Sequence, residues 1–150
     1  MTMKNILLAF FAFAIVGSAV PGAFGQSELR MKVEVSPDAN NSNPVAVDLV
    51  LVKDNALLAE LKKLSATDWF ENRRQYLLDH PEETGLRAGT WEFVPGQPIN
   101  PVRINVEPEI MGGIIFANYS TPGAHRAAID PRKSLTVVLG AKDFTVRRDK

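Results

Sequence analysis

Two stretches near the start of the chain decide its fold class: LRMKVEVS at residues 29–36 and VAVDLVLV at residues 45–52. In the first stretch apolar and polar residues alternate, which predicts a β-strand with one buried face and one solvent-exposed face. In the second stretch Asp48 is the only polar residue, so we predict a strand that is covered on both faces or lies centrally in a sandwich. The chain is therefore predicted to be mainly β.

Short strands separated by turn residues continue through the second half of the chain. Proline and glycine recur from Gly89 onward, a pattern typical of β-sandwiches. Five further strands are predicted, at residues 90–94, 102–107, 113–119, 134–139 and 144–148. With the first two they make seven strands. We expect a single two-sheet, Ig-like β-sandwich domain that spans residues 26–150, because a chain of this length forms one packed core.

A helical insertion is predicted at about residues 56–79. Four leucines at helical spacing indicate a short amphipathic helix: Leu57, Leu58, Leu61 and Leu64. Ser65 and Asp68 then have the spacing of a capping box, which predicts a second helix over about residues 67–78. Its docking face is expected to comprise Ala66, Phe70, Arg73 and Leu77, with Trp69 and Tyr76 beside it. We therefore expect Phe70 and Leu77 to cover one face of a sheet.

The first 25 residues have the pattern of a secretory signal peptide. Lys4 supplies a positive charge, residues 6–16 form an apolar run, and Ala23-Phe24-Gly25 is a small-x-small cleavage site. Cleavage between Gly25 and Gln26 is expected. The alternative is an uncleaved membrane anchor, but a membrane span needs ~20 apolar residues, and glycine, serine and proline interrupt this run.

Charge and cysteine content limit the classes of function. Lys4 is the only charged residue among the first 25, so residues 26–150 carry 16 basic and 17 acidic side chains. A near-neutral domain of this kind has no electrostatic basis for binding nucleic acid. Exported proteins often contain disulfides, but this chain has no cysteine, so its core is expected to be held by packing alone.

No catalytic or metal-binding motif is visible in the sequence. His80 and His125 are the only histidines, and neither has neighbours at metal-binding spacing. Ser120 and Ser134 lack the flanking motif of an activated nucleophile. Several charged pairs are expected to be solvated surface groups: Arg73-Arg74, Glu82-Glu83, Glu107 with Glu109, and Arg147-Arg148. We therefore expect a non-enzymatic protein with no metal, no cofactor and no small-molecule substrate.

The loop between the first two strands, residues 37–44, is the candidate partner-binding site. Tight hairpins close with about two to five residues, and this loop is longer. Its side chains are rich in hydrogen-bond donors and acceptors, and its prolines limit the entropy lost on docking. The candidate contact residues are Pro37, Asp38, Asn40, Asn41, Ser42, Asn43 and Pro44. Loop statistics alone give a tolerated surface insertion the same weight as a binding site. The residues of the loop therefore leave both interpretations open.

The order of these features resembles the TssJ-type lipoproteins of the type VI secretion membrane complex. The shared order is a signal peptide, a strand, a loop rich in asparagine and proline, a valine-rich strand, a helical insert, and a strand that ends Val94-Pro95-Gly96. The segment GIIFANY at residues 113–119, followed by a long loop and two closing strands, also resembles that family. The resemblance covers nearly the whole chain after residue 25.

The resemblance implies a transthyretin-like β-sandwich with a helical insertion. It also implies a location in the periplasm at the outer membrane, and binding to the periplasmic domain of an inner-membrane TssM-type subunit. In that family the loop between the first two strands is a principal partner contact, and here it corresponds to residues 37–44. Family members carry a lipidated cysteine at the cleavage site, where this chain has Gln26. We therefore expect a periplasmic protein without an acyl anchor, at most peripheral to the outer membrane.

Two other functions are compatible with a sandwich, because a fold does not determine a function. One is a pilotin or chaperone-like periplasmic subunit of another secretion system, whose client would be an outer-membrane secretin. The other is a transthyretin-like periplasmic hydrolase of the hydroxyisourate type. That enzyme would require a convergent set of His and Arg residues and a distinctive C-terminal motif, whereas this chain ends FTVRRDK at residues 144–150. The hydrolase is therefore the least favoured of the three.

Overall fold

The computed structural model describes residues 25–149, which form eight strands and two helices. The strands are β1 (Ser27–Val35), β2 (Val45–Val52), β3 (Leu86–Phe93), β4 (Val102–Val106), β5 (Gly112–Asn118), β6 (Arg126–Ile129), β7 (Leu135–Leu139) and β8 (Phe144–Arg148). The helices are α1 (Asn55–Leu61) and α2 (Ala66–Asp79), which lie between β2 and β3 in the chain. Apart from Gly25, the predicted signal peptide lies outside the described residues.

The strands form two four-stranded sheets that pack face to face. Sheet A has the strand order β4-β1-β7-β8, and sheet B has the order β3-β2-β5-β6. All neighbouring strands are antiparallel except β1 and β7, which are parallel. Buried side chains from both sheets meet in one core between them. The predicted two-sheet β-sandwich with a helical insertion is confirmed.

β1 and β2 differ in the way that their sequences predict. In β1, Leu29 and Met31 are buried, whereas Arg30 and Lys32 on the opposite face are exposed. β2 lies between β3 and β5 inside sheet B, and all of its residues except the half-buried Ala46 are buried. Its odd-numbered residues pack in the core between the sheets, and Val50 and Val52 pack against the helices. β2 is therefore covered on both faces.

α1 packs on the outer face of sheet B through its leucines. Leu57, Leu58 and Leu61 are all buried there. The helix begins where the Asp54 carboxylate accepts a hydrogen bond from the Leu57 N–H at 2.7 Å, which satisfies one of the free amides of the first turn. Gly112 on β5 allows the close approach, because a Cβ at that position would lie 2.7 Å from a Leu58 methyl group.

α2 begins with the predicted capping box. The Ser65 hydroxyl accepts a hydrogen bond from the Asp68 N–H, and the Asp68 carboxylate accepts one from the Ser65 N–H, both at 3.1 Å. Hydrogen bonds from the Ser65 side chain and backbone lower the pKa of Asp68, because they stabilise its charged form. The helix ends after Asp79, as residues before a proline avoid the helical region.

Trp69 is the residue through which α2 docks on sheet B. Its indole is fully buried, stacks on Phe116 with 5.2 Å between ring centroids, and donates a hydrogen bond to the Asp48 carboxylate at 2.8 Å. Phe70 is half-buried, and Leu77 is 42% exposed. The predicted docking face is therefore correct for Ala66, which is buried, and for Phe70, which packs against the same apolar cluster. It was wrong for Leu77, because Trp69 rather than Leu77 covers the sheet.

Asp48, the one polar residue of β2, faces this helical layer and is fully buried. A buried carboxylate requires hydrogen-bonded or charged partners. Trp69 supplies one, and the Arg73 guanidinium, 3.3 Å from the Asp48 carboxylate, supplies the other. The prediction that Arg73 is an ordinary surface charge was wrong, because its guanidinium pairs with this buried carboxylate although the side chain remains 41% exposed.

Two strand predictions are corrected by the structure. β3 begins at Leu86 rather than near residue 90, because its first residues pair in register with the end of β2. β6 lies in the segment that was predicted to be a long loop, and its four residues pair with β5. A strand this short has too little alternation to be recognised from sequence. The described residues therefore contain eight strands rather than seven.

Candidate partner-binding site

Residues 37–44 connect β1 in sheet A to β2 in sheet B, so they cross between the sheets at one end of the sandwich. We call this segment the crossing loop. The loops at residues 119–125 and 140–143, which follow β5 and β7, lie at the same end. The comparison with tight hairpins therefore does not apply, since β1 and β2 do not pair with each other.

The crossing loop contains a left-handed turn. Asn40, Asn41 and Ser42 have φ angles of 47°, 56° and 62°, a region that L-residues rarely adopt and in which asparagine is enriched. A backbone with several consecutive residues in this conformation is strained. It persists only where surrounding contacts stabilise it. The turn is thus a shape that the rest of the fold must maintain.

Asn40 provides the main side-chain contact that maintains the turn. It is only 6% exposed. Its Oδ1 accepts hydrogen bonds from the Ser120 N–H at 2.8 Å and the Ser120 hydroxyl at 2.9 Å. Its Nδ2 donates to the Pro44 carbonyl at 3.0 Å. The structure therefore places this candidate contact residue beneath the surface, where it joins the crossing loop to the loop after β5.

Backbone hydrogen bonds attach the crossing loop to the hairpin between β7 and β8. The Asn40 N–H donates to the Gly140 carbonyl at 3.3 Å, and the Asn41 N–H donates to the Ala141 carbonyl at the same distance. The Asn43 amide donates to the carbonyls of Asn40 and Asn41, both at 3.1 Å, and closes the turn on itself. The crossing loop therefore has a defined shape before any partner binds.

The remaining candidate contact residues are exposed: Pro37, Asp38, Asn41, Ser42, Asn43 and Pro44. A shallow depression of about 330 Å³ lies beside them, and its lining includes Ala46, Glu92 and Asn118 from the outer face of sheet B. The loop and the depression together present a mainly polar surface. This arrangement is suited to contact with a protein surface.

A buried histidine joins the two loops beside the crossing loop. His125 is 6% exposed, with Nδ1 lying 2.9 Å from the Asp143 carboxylate and Nε2 lying 2.7 Å from the Thr121 carbonyl oxygen. The Asp143 carboxylate also accepts a hydrogen bond from the Phe144 N–H at 2.8 Å. Sequence reasoning treated His125 only as a loop residue. It missed this contact because Asp143 is distant in the chain.

Tyr119 packs on the His125 ring, with 5.0 Å between ring centroids. Burial raises the pKa of Tyr119 to about 12, and the negative charge of Asp143 adds to the shift. Tyr119 therefore remains a neutral phenol at physiological pH. Its contribution at this end of the sandwich is packing rather than acid–base chemistry.

The described part of the chain contains no group of three or more His, Asp or Glu side chains that could hold a metal ion. His80 stacks on Tyr76 with 6.2 Å between ring centroids. The Ser120 hydroxyl donates to Asn40, so its partner is an amide oxygen rather than a base. Between residues 25 and 149, no helix is long and apolar enough to cross a membrane.

No family model matches the chain, and no curated protein matches it by sequence. Solved structures do match. The type VI secretion lipoprotein TssJ1 from Pseudomonas aeruginosa is 12% identical with a TM-score of 0.65, covering 84% of this chain and 98% of that chain. Serratia marcescens Lip, a membrane-bound component of the type VI secretion system, is 13% identical with a TM-score of 0.62 and the same coverage.

A chain in a structure described as the C-terminal domain of the type VI protein TssM from EAEC also matches. It is 13% identical with a TM-score of 0.60, covering 80% of this chain and 97% of that chain. Identities this low show the fold alone. The chain therefore has the fold of the TssJ lipoproteins, and the resemblance seen in the order of sequence features is confirmed at the level of fold.

Proposed function

We propose that this protein is a non-enzymatic structural subunit of a type VI secretion membrane complex, which binds the periplasmic domain of an inner-membrane TssM-like subunit. The observation that carries the proposal is the fold match, which extends over 98% of the Pseudomonas aeruginosa TssJ1 chain. The match to a structure described as a TssM domain supports the choice of partner. The anchored crossing loop supplies a surface for the contact.

The crossing loop is the proposed contact because its shape is set in advance. Hydrogen bonds from Ser120 to Asn40, and from the loop backbone to Gly140 and Ala141, hold the turn. A partner therefore does not have to order the loop, and this lowers the entropic cost of association. In this proposal Asn40 supports the loop from below, and the exposed side chains of Asn41 and Ser42 make the contact.

The proposal includes export to the periplasm. Cleavage after Gly25 would leave a chain that begins at Gln26 and has no cysteine for lipidation. Such a chain can associate with the outer membrane only peripherally or through its partner. We expect the intact mass of the native protein to correspond to residues 26–150, and carbonate extraction to release it. A carbonate-resistant protein that retains its first residues would show that the segment is an anchor instead.

Variants of the crossing loop test the contact. A two-residue Asn-Gly turn cannot replace the loop, because β1 and β2 lie in different sheets. The double variant Asn41→Gly with Ser42→Gly instead removes two exposed side chains, together with their long hydrogen bonds to the Ser120 hydroxyl and the Pro37 carbonyl, both at 3.4 Å. Glycine adopts positive φ without steric cost, and the Asn40 contacts that hold the turn remain. Glu109→Ala, in an exposed loop at the opposite end of the sandwich, is the control.

Binding is measured by calorimetry against the recombinant periplasmic domain of the TssM-like subunit from the same organism. We expect the double glycine variant to bind about tenfold more weakly or worse, with thermal unfolding close to that of the unmodified protein. The Glu109→Ala control should bind normally. Undiminished affinity in a well-folded double variant would remove the crossing loop from the interface, and no binding by the unmodified chain would overturn the proposed function.

A further inference from the structure

The free edge of β3 differs from the other sheet edges. The described residues leave four edge strands: β3 and β6 in sheet B, and β4 and β8 in sheet A. β3 has eight residues, whereas β4 and β8 have five and β6 has four. Edge strands are usually protected by short length, proline, lysine or a bulge. β3 contains neither proline nor lysine, its only charged residues are Arg87 and Glu92, and its register with β2 runs without interruption from Leu86 to Phe93.

The register identifies which backbone groups point outward from β3. Lys53 and Gly85 continue the β2–β3 register by one residue pair, and the Lys53 N–H donates to the Gly85 carbonyl at 2.8 Å. Odd-numbered residues of β3 therefore direct their N–H and C=O groups toward β2. The even-numbered residues Ala88, Thr90 and Glu92 direct theirs away from β2, where no strand of the described residues lies.

A groove runs beside this edge, between β3 and β4. Its volume is about 280 Å³, and its apolar lining includes Leu49 and Leu51 from the core, Trp91 from β3 and Ile104 from β4. The Trp91 ring lies over Gly89, where a Cβ would be 2.5 Å from the ring. The groove can accept apolar side chains from a segment that lies along β3.

The arginines beside the groove are already paired within the chain. Arg87 lies 3.0 Å from Glu107, and Arg103 lies 3.2 Å from Glu28. A segment that binds in this groove therefore does not have to supply a charge to pair with these arginines. The Leu86 N–H donates to the His80 carbonyl at 3.4 Å, so the row of outward N–H and C=O groups without a partner strand in the described residues runs from Ala88 to Glu92. An extended strand is the structure that complements such a row.

We propose that the β3 edge receives an extended segment of the partner's periplasmic domain as an additional strand of sheet B, with apolar side chains of that segment in the groove. The inference rests on the proposed function and adds a second contact to the same partner. β3 ends at Phe93, which pairs with Val45 directly after the crossing loop. One partner surface can thus contact the loop and continue along the strand.

Amide hydrogen exchange, resolved by residue with NMR, tests the proposal on the unmodified chain with and without the partner's periplasmic domain. The outward N–H groups of Ala88, Thr90 and Glu92 should exchange at least about tenfold more slowly in the complex. The N–H groups of Gly89 and Trp91 already donate to β2, so their exchange should change little. This alternation along one strand is specific to strand addition, because contact at the crossing loop alone would not produce it.

A proline on the free edge provides the matching variant. Thr90→Pro removes an outward N–H and leaves the hydrogen bonds to β2 intact, a substitution that edge strands tolerate. Thr90→Ala changes the same side chain and keeps the N–H. We expect Thr90→Pro to weaken binding of the domain about tenfold or more, and Thr90→Ala to bind like the unmodified chain.

The outcomes separate this inference from the proposed function. Binding that is lost in the double glycine variant of the crossing loop but unchanged in Thr90→Pro, without alternating protection on β3, would overturn strand addition and leave the proposed function standing. Absence of binding by the unmodified chain would overturn both. Alternating protection that appears at high protein concentration without the partner, together with a doubled mass, would show a second copy on the edge and would also overturn the proposal.

Discussion

The outer face of sheet B is covered by α1 and α2, whereas no helix of residues 25–149 covers the outer face of sheet A. On sheet B, Val50, Val52, Ile114 and Phe116 lie buried beneath the helices. On sheet A, the outward residues of β1 are exposed and charged: Glu28, Arg30, Lys32 and Glu34. The two sheets share one core but depend on different interactions at their outer faces.

The difference shows why one sheet needs the helical insertion and the other does not. An apolar sheet face exposed to water is unfavourable, so sheet B requires a cover. The outer face of sheet A carries charged side chains that water solvates, and ion pairs link its strands, such as Glu34 on β1 with Arg147 on β8. Substitutions on the two faces should therefore differ widely in their effect on the free energy of unfolding.

The largest effect is expected where α2 meets sheet B. Trp69→Ala removes the stack on Phe116 and deprives the buried Asp48 carboxylate of a hydrogen bond. We expect a loss of about 3–5 kcal/mol in the free energy of unfolding, measured by urea denaturation. The control is Phe70→Ala on the same helix, which should cost about 1 kcal/mol because Phe70 is only half-buried.

If the two alanine variants were destabilised equally, the helix would not dock through Trp69. The comparison between the outer faces would then need a different explanation, in which the cover of sheet B depends on the whole insertion rather than on one buried ring.

A smaller effect is expected at the start of α2. Ser65→Ala removes the hydroxyl that caps the helix, and we expect a loss of about 1 kcal/mol near neutral pH. Because Ser65 lowers the pKa of Asp68 in the folded state, this carboxylate contributes stability above its unfolded pKa, near 3.8, and loses that contribution as pH falls through the lower folded value.

The difference in stability between the unmodified chain and Ser65→Ala should therefore shrink as the pH is lowered below about 4. Chemical denaturation at a series of pH values measures it. A difference that stays constant down to the acid limit would mean that the pair with Asp68 contributes nothing to the cap.

The smallest effect is expected on the outer face of sheet A. Glu34→Gln breaks the ion pair with Arg147, in which both side chains are more than half exposed. Exposed ion pairs contribute little, so we expect a change below about 0.5 kcal/mol in the free energy of unfolding. A loss comparable to that of Trp69→Ala would show that sheet A depends on its surface charges as strongly as sheet B depends on its helices.

The contrast between the two sheets was already visible in the two opening strands. Alternation in β1 predicted one solvent-exposed face, and the continuous apolar run of β2 predicted cover on both faces. The capping box at Ser65 and Asp68 also located the start of α2 correctly. These features depend on residues close together in the chain, so a sequence pattern reports them directly.

Predictions failed where a distant residue decides the result. Trp69 rather than Leu77 covers sheet B, and there its indole bonds to Asp48 of β2, which is 21 residues away in the chain. The extension of β3 to Leu86 depends on pairing with β2. Neither is encoded in the spacing of residues within the element itself.

The candidate site shows the same division. The sequence by itself determined the position of the crossing loop, its polar composition, and the asparagines that suit a left-handed turn. Only the tertiary structure decided that the loop crosses between two sheets, and that Asn40 lies beneath it, bonded to Ser120 at a separation of 80 residues. Periodicity and turn propensity act over a few residues, whereas a hydrogen bond between loops requires the sheets that carry them to be assembled first.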